Sequence, residues 1–591
     1  MNAKRELWTS VLVWILSIAG LAVAWVWFIE NGQKPLTLPL FSLPEMNDGV
    51  APSAGIRLDG LALLMSSLAL WVGASSFFFG NTQAMVTLAT FGAALAWLSS
   101  TLWLSLTGCA LAALAGFLSF RDRWEEDDGS SSAVQYAKEK CCGLLIAFLG
   151  LSVWSANTSL AGGYALLAGT WFLLPAFPFL GGIASESEPG SAENLVTQRV
   201  LPALAAAAVF VRFVPASAAS VDVLSILGWV GLGMAFLAAL YGLVSEGWKT
   251  ALSAWIAASG SIAVTILAFA FDGSRNGVLY FAGVVLSAAA MSAAGSALEK
   301  GTSQPGWAKA GALLGALLGT SFAGFITAKP VVAMLSHAWR LDEPSFVAFL
   351  AFPFFVASVL LWKVLWSLFR LSAAVNAKAK DFSWQNIVFP LPLAITGLGV
   401  LWTGELSGGL DLNSVDQVMR SMSDALLGVE PSASRPDDAI WNTALAVYGG
   451  VILFSAVAGY WLSGTKDRWL TLRSSFPKFT SFVDQGVGAS IFAVAVLRLL
   501  RATGEKVSHF VDVKIWEHWI PTALAASVRM GGGLVARADG TASLRISRGL
   551  RRKAEIPSKL LQLIQNGDVQ WYLMFALTAG MAMLAHFMRK G

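Results

Sequence analysis

The chain has 591 residues, 56% of them apolar and 13% charged, and its mean hydropathy is +0.64. Soluble domains carry about 25% charged residues, so a soluble enzyme is excluded and an integral membrane protein is expected. The formal net charge is +4 and no nucleic-acid partner is expected. A crossing helix needs about 20 mainly apolar residues, and such runs recur from Leu7 to Phe587, about sixteen in all.

The first run, Leu7–Ile29, follows Lys4 and Arg5 like a signal peptide. It is too long for an h-region and no small-residue cleavage site follows, so it reads as a retained span. Between it and the second span, the segment from Leu36 to Pro44 alternates loosely and is broken by prolines, as in a short surface hairpin or an extended loop. Spans Leu58–Phe79, Ala84–Leu98 and Thr101–Phe120 lead to the charged loop Arg121–Ser132. Ala133–Trp154 and Leu160–Gly182 follow, the latter with Pro175 and Pro178 in its second half. An interior proline removes a backbone hydrogen bond and clashes with the preceding turn, so that span is predicted to break. Asn194–Val214 then carries Arg199 and Arg212.

Three long apolar runs make the central block: Val223–Val244, Thr250–Phe271 and Gly277–Leu298. Glu246 and Lys249 lie between the first two, three residues apart, and share a face if the helix continues past Val244. A charge at bilayer depth costs about 2.5–3.5 kcal/mol on insertion scales and usually meets a partner or water, so such residues are functional candidates. The alternative is that Ser245–Thr250 is only a connecting loop.

Ala308–Met334 is interrupted near its end at Gly324–Pro330, with Lys329 in the interruption. Broken spans are tolerated where they line a cavity or pack in protein. Two in corresponding halves point to an inverted repeat and its ion path. Pro344–Leu371 holds Lys363 in mid-run, and Ile387–Trp402, Ala439–Leu462 and Gly486–Leu500 complete the main body. From 501 to 565 charged residues return at helical spacing among apolar ones, the pattern of amphipathic helices lying along a membrane or across neighbouring spans. A last span, Trp571–Phe587, opens on the Trp571–Tyr572 pair typical of a membrane interface. Lys4 and Arg5 favour an inside N-terminus, whereas the denser basic tail favours placing 501–559 inside, so orientation stays open.

Cys109, Cys141 and Cys142 show no metal-ligand spacing, His337, His509, His518 and His586 are scattered, and no glycine-rich phosphate loop is visible. No cofactor and no metal are expected.

Five stretches together resemble the antiporter-like L subunit of proton-pumping NADH:quinone oxidoreductase (respiratory complex I) and, more distantly, the A subunit of Mrp-type antiporters. They are Arg57-Leu-Asp-Gly-Leu-Ala-Leu-Leu-Met, Leu243-Val-Ser-Glu-Gly-Trp-Lys-Thr-Ala-Leu-Ser, Ala293-Ala-Gly-Ser-Ala, Ala323-Gly-Phe-Ile-Thr-Ala-Lys329, and Asn566-Gly-Asp-Val-Gln-Trp-Tyr. None is specific alone; their order along nearly the whole chain carries the likeness.

The resemblance implies an all-α polytopic membrane protein of about sixteen helices, with two broken helices, inverted five-helix repeats and a C-terminal amphipathic lateral helix. It divides the chain into N-terminal spans (1–120), a first antiporter-like half with the central spans (121–300), a second half (301–500), the lateral segment (501–565) and the last span (566–591). It also implies a subunit that moves protons or cations, coupled to redox partners but with no active site of its own. Lipids and other membrane subunits, contacted through 501–565, are the expected partners. An energy-transducing membrane such as the bacterial inner membrane is the expected location.

Several family positions depart from the pattern. The Trp-Glu glutamate falls near Gly108 and Cys109, the lysine of the first broken helix at Leu173 and Leu174, a histidine near Arg199, and the His-x-x-x-His-x-x-x-Lys face near Leu279, Gly283 and Ser287. A proton path passes protons between a glutamate, lysines and histidines through water, so the first half is expected to be disabled. The remaining path candidates are Lys249, Lys329, Lys363 and Arg199, with Glu246 as a partner; a desolvated lysine can become a proton carrier. Two alternatives stay open: a non-conducting structural subunit with a degenerate path, and the membrane partner of a bicarbonate-uptake system.

Overall fold

In lipid each backbone polar group must be satisfied within the protein, so long apolar runs fold as helices. The computed structural model describes residues 2–30, 36–42, 53–77, 83–120, 127–157, 160–174, 195–217, 221–245, 247–269, 275–299, 305–322, 327–340, 344–375, 438–463 and 474–475. Fourteen α-helices are found among them. In chain order these are α1 (Asn2–Glu30), α2 (Gly60–Phe77), α3 (Gln83–Leu98), α4 (Leu102–Leu118), α5 (Asp127–Asn157) and α6 (Leu160–Leu173). A π turn, Val196–Val200, runs into α7 (Leu201–Ser217), and α8 (Val221–Val244), α9 (Trp248–Phe269), α10 (Arg275–Glu299) and α11 (Pro305–Gly319) follow. The last are α12 (Ala328–Arg340), α13 (Pro344–Val375) and α14 (Asp438–Ser463). Five, α8, α9, α10, α13 and α14, are long and apolar enough to cross a membrane by length and composition. The chain is a multi-pass membrane protein.

The proline-broken segment after α1 forms a hairpin, not an extended loop: β1 (Leu36–Ser42) pairs antiparallel with β2 (Ser53–Leu58), its register shifting between Pro39 and Phe41. Proline cannot donate to the ladder, which accounts for the irregularity there. The hairpin is tied to the α3–α4 connection, because Ser100 donates its N–H to the Gly55 carbonyl at 2.8 Å and its hydroxyl accepts from the Gly55 N–H at 2.9 Å. Asp59 caps α2 by accepting from the Ala62 N–H at 2.8 Å, and Arg57 Nε lies 2.8 Å from its other oxygen.

Small residues set the closest helix approaches, as expected where lipid supplies no hydrophobic drive between helices. A Cβ on Gly92 of α3 would lie 2.7 Å from the Gly108 carbonyl oxygen of α4. On α6 a Cβ at Gly169 would meet the backbone of Ala147, so α5 and α6 pack backbone to backbone. Trp97 Nε1 donates to the Leu204 carbonyl at 2.8 Å, tying α3 to α7. α9 and α10 form the protein-enclosed centre: the apolar stretch of α9 is 100% buried and that of α10 94%. Their serines and threonines face protein and not lipid. Ile15, Val23 and Val26 on α1 and Leu453, Phe454 and Val457 on α14 are more than half exposed, the natural state of a lipid-facing surface.

The predicted second interruption separates α11 from α12. The Phe322 N–H bonds to the Leu317 carbonyl and the Ser321 N–H to that of Leu318, a Schellman ending whose left-handed position, normally glycine, is Ser321 at φ 59°. Thr327 then reaches back to donate to Leu318 O at 2.6 Å. The first interruption falls after α6, and Pro175 and Pro178 lie outside the described residues. So do Glu246, Ile387–Trp402, Gly486–Leu500, the lateral segment 501–565 and the last span Trp571–Phe587.

Candidate functional site

Tyr136, Glu139 and Lys140 stand at i, i+3 and i+4 on α5, hence on one face. All three are buried, and so is Arg199, which the π turn brings up to them. Tyr136 donates to the Gln198 carbonyl at 3.4 Å, Gln198 Nε2 donates to Ser119 Oγ at 2.9 Å, and Ser119 donates to the Gly116 carbonyl at 2.7 Å. Gly116 makes room for this chain, since a Cβ there would overlap the Tyr136 hydroxyl. The Tyr136 ring faces two cations: Lys140 Nζ at 5.7 Å from its centroid and Arg199 Cζ at 6.0 Å. Arg199 interacts electrostatically with Glu139 and with Tyr241 of α8. π turns cluster at functional sites, and here all five residues of the turn are buried.

Lys140 Nζ donates to the carbonyls of Phe172 at 2.9 Å and Leu173 at 2.8 Å, at the carboxyl end of α6. Those carbonyls have no partner within their own helix, and a cation suits that end of the dipole. An ammonium has three N–H donors; the third has no hydrogen-bond partner among the described residues. At Leu173, where the sequence has no lysine of its own, the ammonium comes from the neighbouring helix.

Glu139 and Lys140 were missing from the sequence-derived candidates, although adjacent charges inside the apolar run Ala133–Trp154 are themselves the signal of ionisable residues at membrane depth.

Of the predicted candidates, Arg199 is in this cluster, Lys363 binds the carboxyl end of α8, and Lys249 lies in the first turn of α9. Lys363 Nζ donates to the carbonyls of Gly242 (3.1 Å), Leu243 (2.8 Å) and Ser245 (2.7 Å). Tyr241, which interacts electrostatically with Arg199, precedes Gly242, whose carbonyl accepts from Lys363. Lys249, second residue of α9, pairs with Glu299 at the end of α10, Nζ to Oε1 3.0 Å, and Trp248 Nε1 donates to the same oxygen at 3.1 Å. Each charge sits at the unfavourable end of its own helix dipole, which the pairing offsets. The partner expected for Lys249 from spacing, Glu246, is outside the described residues, as is the Lys329 side chain; its backbone opens α12.

Deeper in the bundle, Met65, Trp97, Leu174, Ala207, Phe210 and Phe281 help line a void of about 20 Å³ whose lining is wholly apolar. That lining offers a water none of the two to four polar partners it needs. Among the described residues no three His, Cys, Asp or Glu side chains gather as a metal site.

No family model matches the chain, and no curated protein matches it by sequence. Solved structures do. A chain of the Mrp complex from Dietzia sp. DQ12-45-1b superposes with a TM-score of 0.61 at 15% identity, over 89% of this chain and 60% of that one. A chain of the membrane-bound sulfane sulfur reductase, an archaeal respiratory membrane complex, gives 0.59 at 11% identity, over 88% and 96%. This chain therefore has the antiporter-like fold found in multisubunit membrane complexes, and spans about three fifths of the matched Mrp chain.

Proposed function

We propose that this protein is a cation-translocating subunit of a multisubunit membrane complex and that the cation is the proton. One observation carries the reading: the buried Tyr136, Glu139, Lys140 and Arg199 beside the carboxyl end of α6, within an antiporter-like fold. Formally the three ionisable groups of one negative and two positive charges sum to +1. Buried charges persist where they are paired or have a function, because desolvation costs several kcal/mol per ion. Glu139 and Lys140 are adjacent on α5 and interact electrostatically, and a water between a carboxylate and an ammonium can carry a proton from one to the other. In this reading the first half, expected from the motifs to be disabled, holds the exchange site. Arg199 stays charged and fixes the field. Coupling to redox partners of a complex-I-type assembly belongs to the same proposal.

The test is proton flux into proteoliposomes holding the full-length protein, followed with an entrapped pH dye under an imposed potential. Flux above that of empty vesicles, lost in Glu139→Gln, supports the reading; wild-type flux equal to that of empty vesicles overturns it.

The second reading, a non-conducting brace, is favoured by the wholly apolar cavity lined from α2, α3, α7, α9 and α10. It predicts that deleting 501–591 disperses the complex while no buried-charge substitution changes transport.

A further inference from the structure

We infer that Lys363 is a positioning residue: from α13 its ammonium closes the carboxyl end of α8 and so sets the turn that places Lys249 against Glu299. α8 and α9 are antiparallel neighbours, as Thr265 Oγ1 bonding to the Gly228 carbonyl at 3.2 Å shows, and only three residues separate Val244 from Trp248. So short a turn leaves the last carbonyls of α8 without helical partners. An unsatisfied carbonyl in a membrane protein costs several kcal/mol. Ser245 Oγ covers Gly242 O at 2.8 Å, but the carbonyls of Leu243 and Ser245 still need donors. Lys363 supplies them from 118 to 121 residues away, with its three N–H groups meeting three oxygens.

Carbonyl oxygens accept hydrogen bonds but do not take up a proton, so these three contacts hold the ammonium in place. The clamp is also built around: a Cβ on Gly459 of α14 would overlap the Trp362 side chain and lie 3.3 Å from the Lys363 backbone nitrogen. Lys249 follows Ser245 by four residues, so a turn released from Lys363 moves the first turn of α9, Trp248 and Lys249 included, away from Glu299 Oε1.

This deepens the proposed transport function and rests on it for one arm of the test. Hydrogen exchange of peptides covering 245–252 and proton flux are measured on the full-length protein and on Lys363→Met and Lys363→Arg. Arginine keeps the charge and the donors but does not give up a proton at physiological pH. The expected result is exchange faster by about tenfold or more in Lys363→Met, with reduced flux, and both restored by Lys363→Arg. Unchanged exchange in Lys363→Met overturns the inference. So does a protected turn with flux abolished in Lys363→Arg, which is the signature of a relay. Should the arginine variant not assemble, the thermal stabilities of Lys363→Met, Lys249→Met and the double variant decide: overlapping losses support the clamp and additive losses overturn it. If the wild type carries no flux, the exchange measurement still decides the clamp, and it is the transport reading that fails.

Discussion

Replacing Lys140 by methionine keeps the apolar stem and removes the ammonium, so it isolates what the charge contributes. Two hydrogen bonds are lost, 2.9 and 2.8 Å long, to carbonyls at the end of α6. Hydrogen bonds to charged groups contribute about 1.5–3 kcal/mol each, giving about 3–6 kcal/mol for the two. Methionine also avoids desolvating an ammonium, which returns part of that sum. Removing one member of a buried charged set costs about 3–5 kcal/mol by comparison with other proteins, and we expect a loss of about 3 kcal/mol on these two estimates. The assay is the apparent melting temperature of the purified full-length protein by size-exclusion chromatography after heating, with Leu149→Met, a half-exposed position on the same helix, as control. A fall of several degrees against an unmoved control is expected. Equal melting of Lys140→Met and wild type would refute the claim that Lys140 closes α6.

Three further substitutions test other parts of the account. Gly116→Ala brings a methyl into overlap with the Tyr136 hydroxyl, and overpacking of this kind costs about 1–3 kcal/mol; thermal melting should fall, with the Tyr136→Phe background recovering part of the loss. Ser321→Gly relieves the left-handed backbone at the end of α11 and should stabilise by about 1 kcal/mol; a lower melting temperature contradicts the Schellman assignment. Lys249→Met and Glu299→Gln should couple in a double-mutant cycle by about 0.5–3 kcal/mol, towards the lower end because Glu299 is partly exposed, and zero coupling removes the pair from the description.

The membrane class, the helical architecture and the interruption after α11 were legible because apolar run length and Pro or Gly punctuation act locally along the chain. The hairpin was legible as one of two options, and its pairing with Ser100 was not, since that contact depends on a residue more than forty positions away. Arg199 was legible as a candidate because it is one of only two arginines in the apolar run Asn194–Val214. Glu139 and Lys140 carried the same signal but lie close to the charged loop 121–132, and only packing shows that they point into protein. Lys363 was legible as a buried charge, yet its three acceptors are on another helix and no spacing rule reaches them. The Lys249 partner shows the same limit: spacing favoured a residue three positions away, and the described carboxylate comes from α10.

Proton flux through Lys140→Arg, beside wild type in the same vesicles, tests the central claim most directly. Guanidinium keeps the charge and the donors at the end of α6 but holds its proton. If charge moves through Glu139 and Lys140, flux falls about a hundredfold, the scale of a lost acid–base group, while the protein still assembles. Wild-type flux in an assembled Lys140→Arg protein would contradict the account.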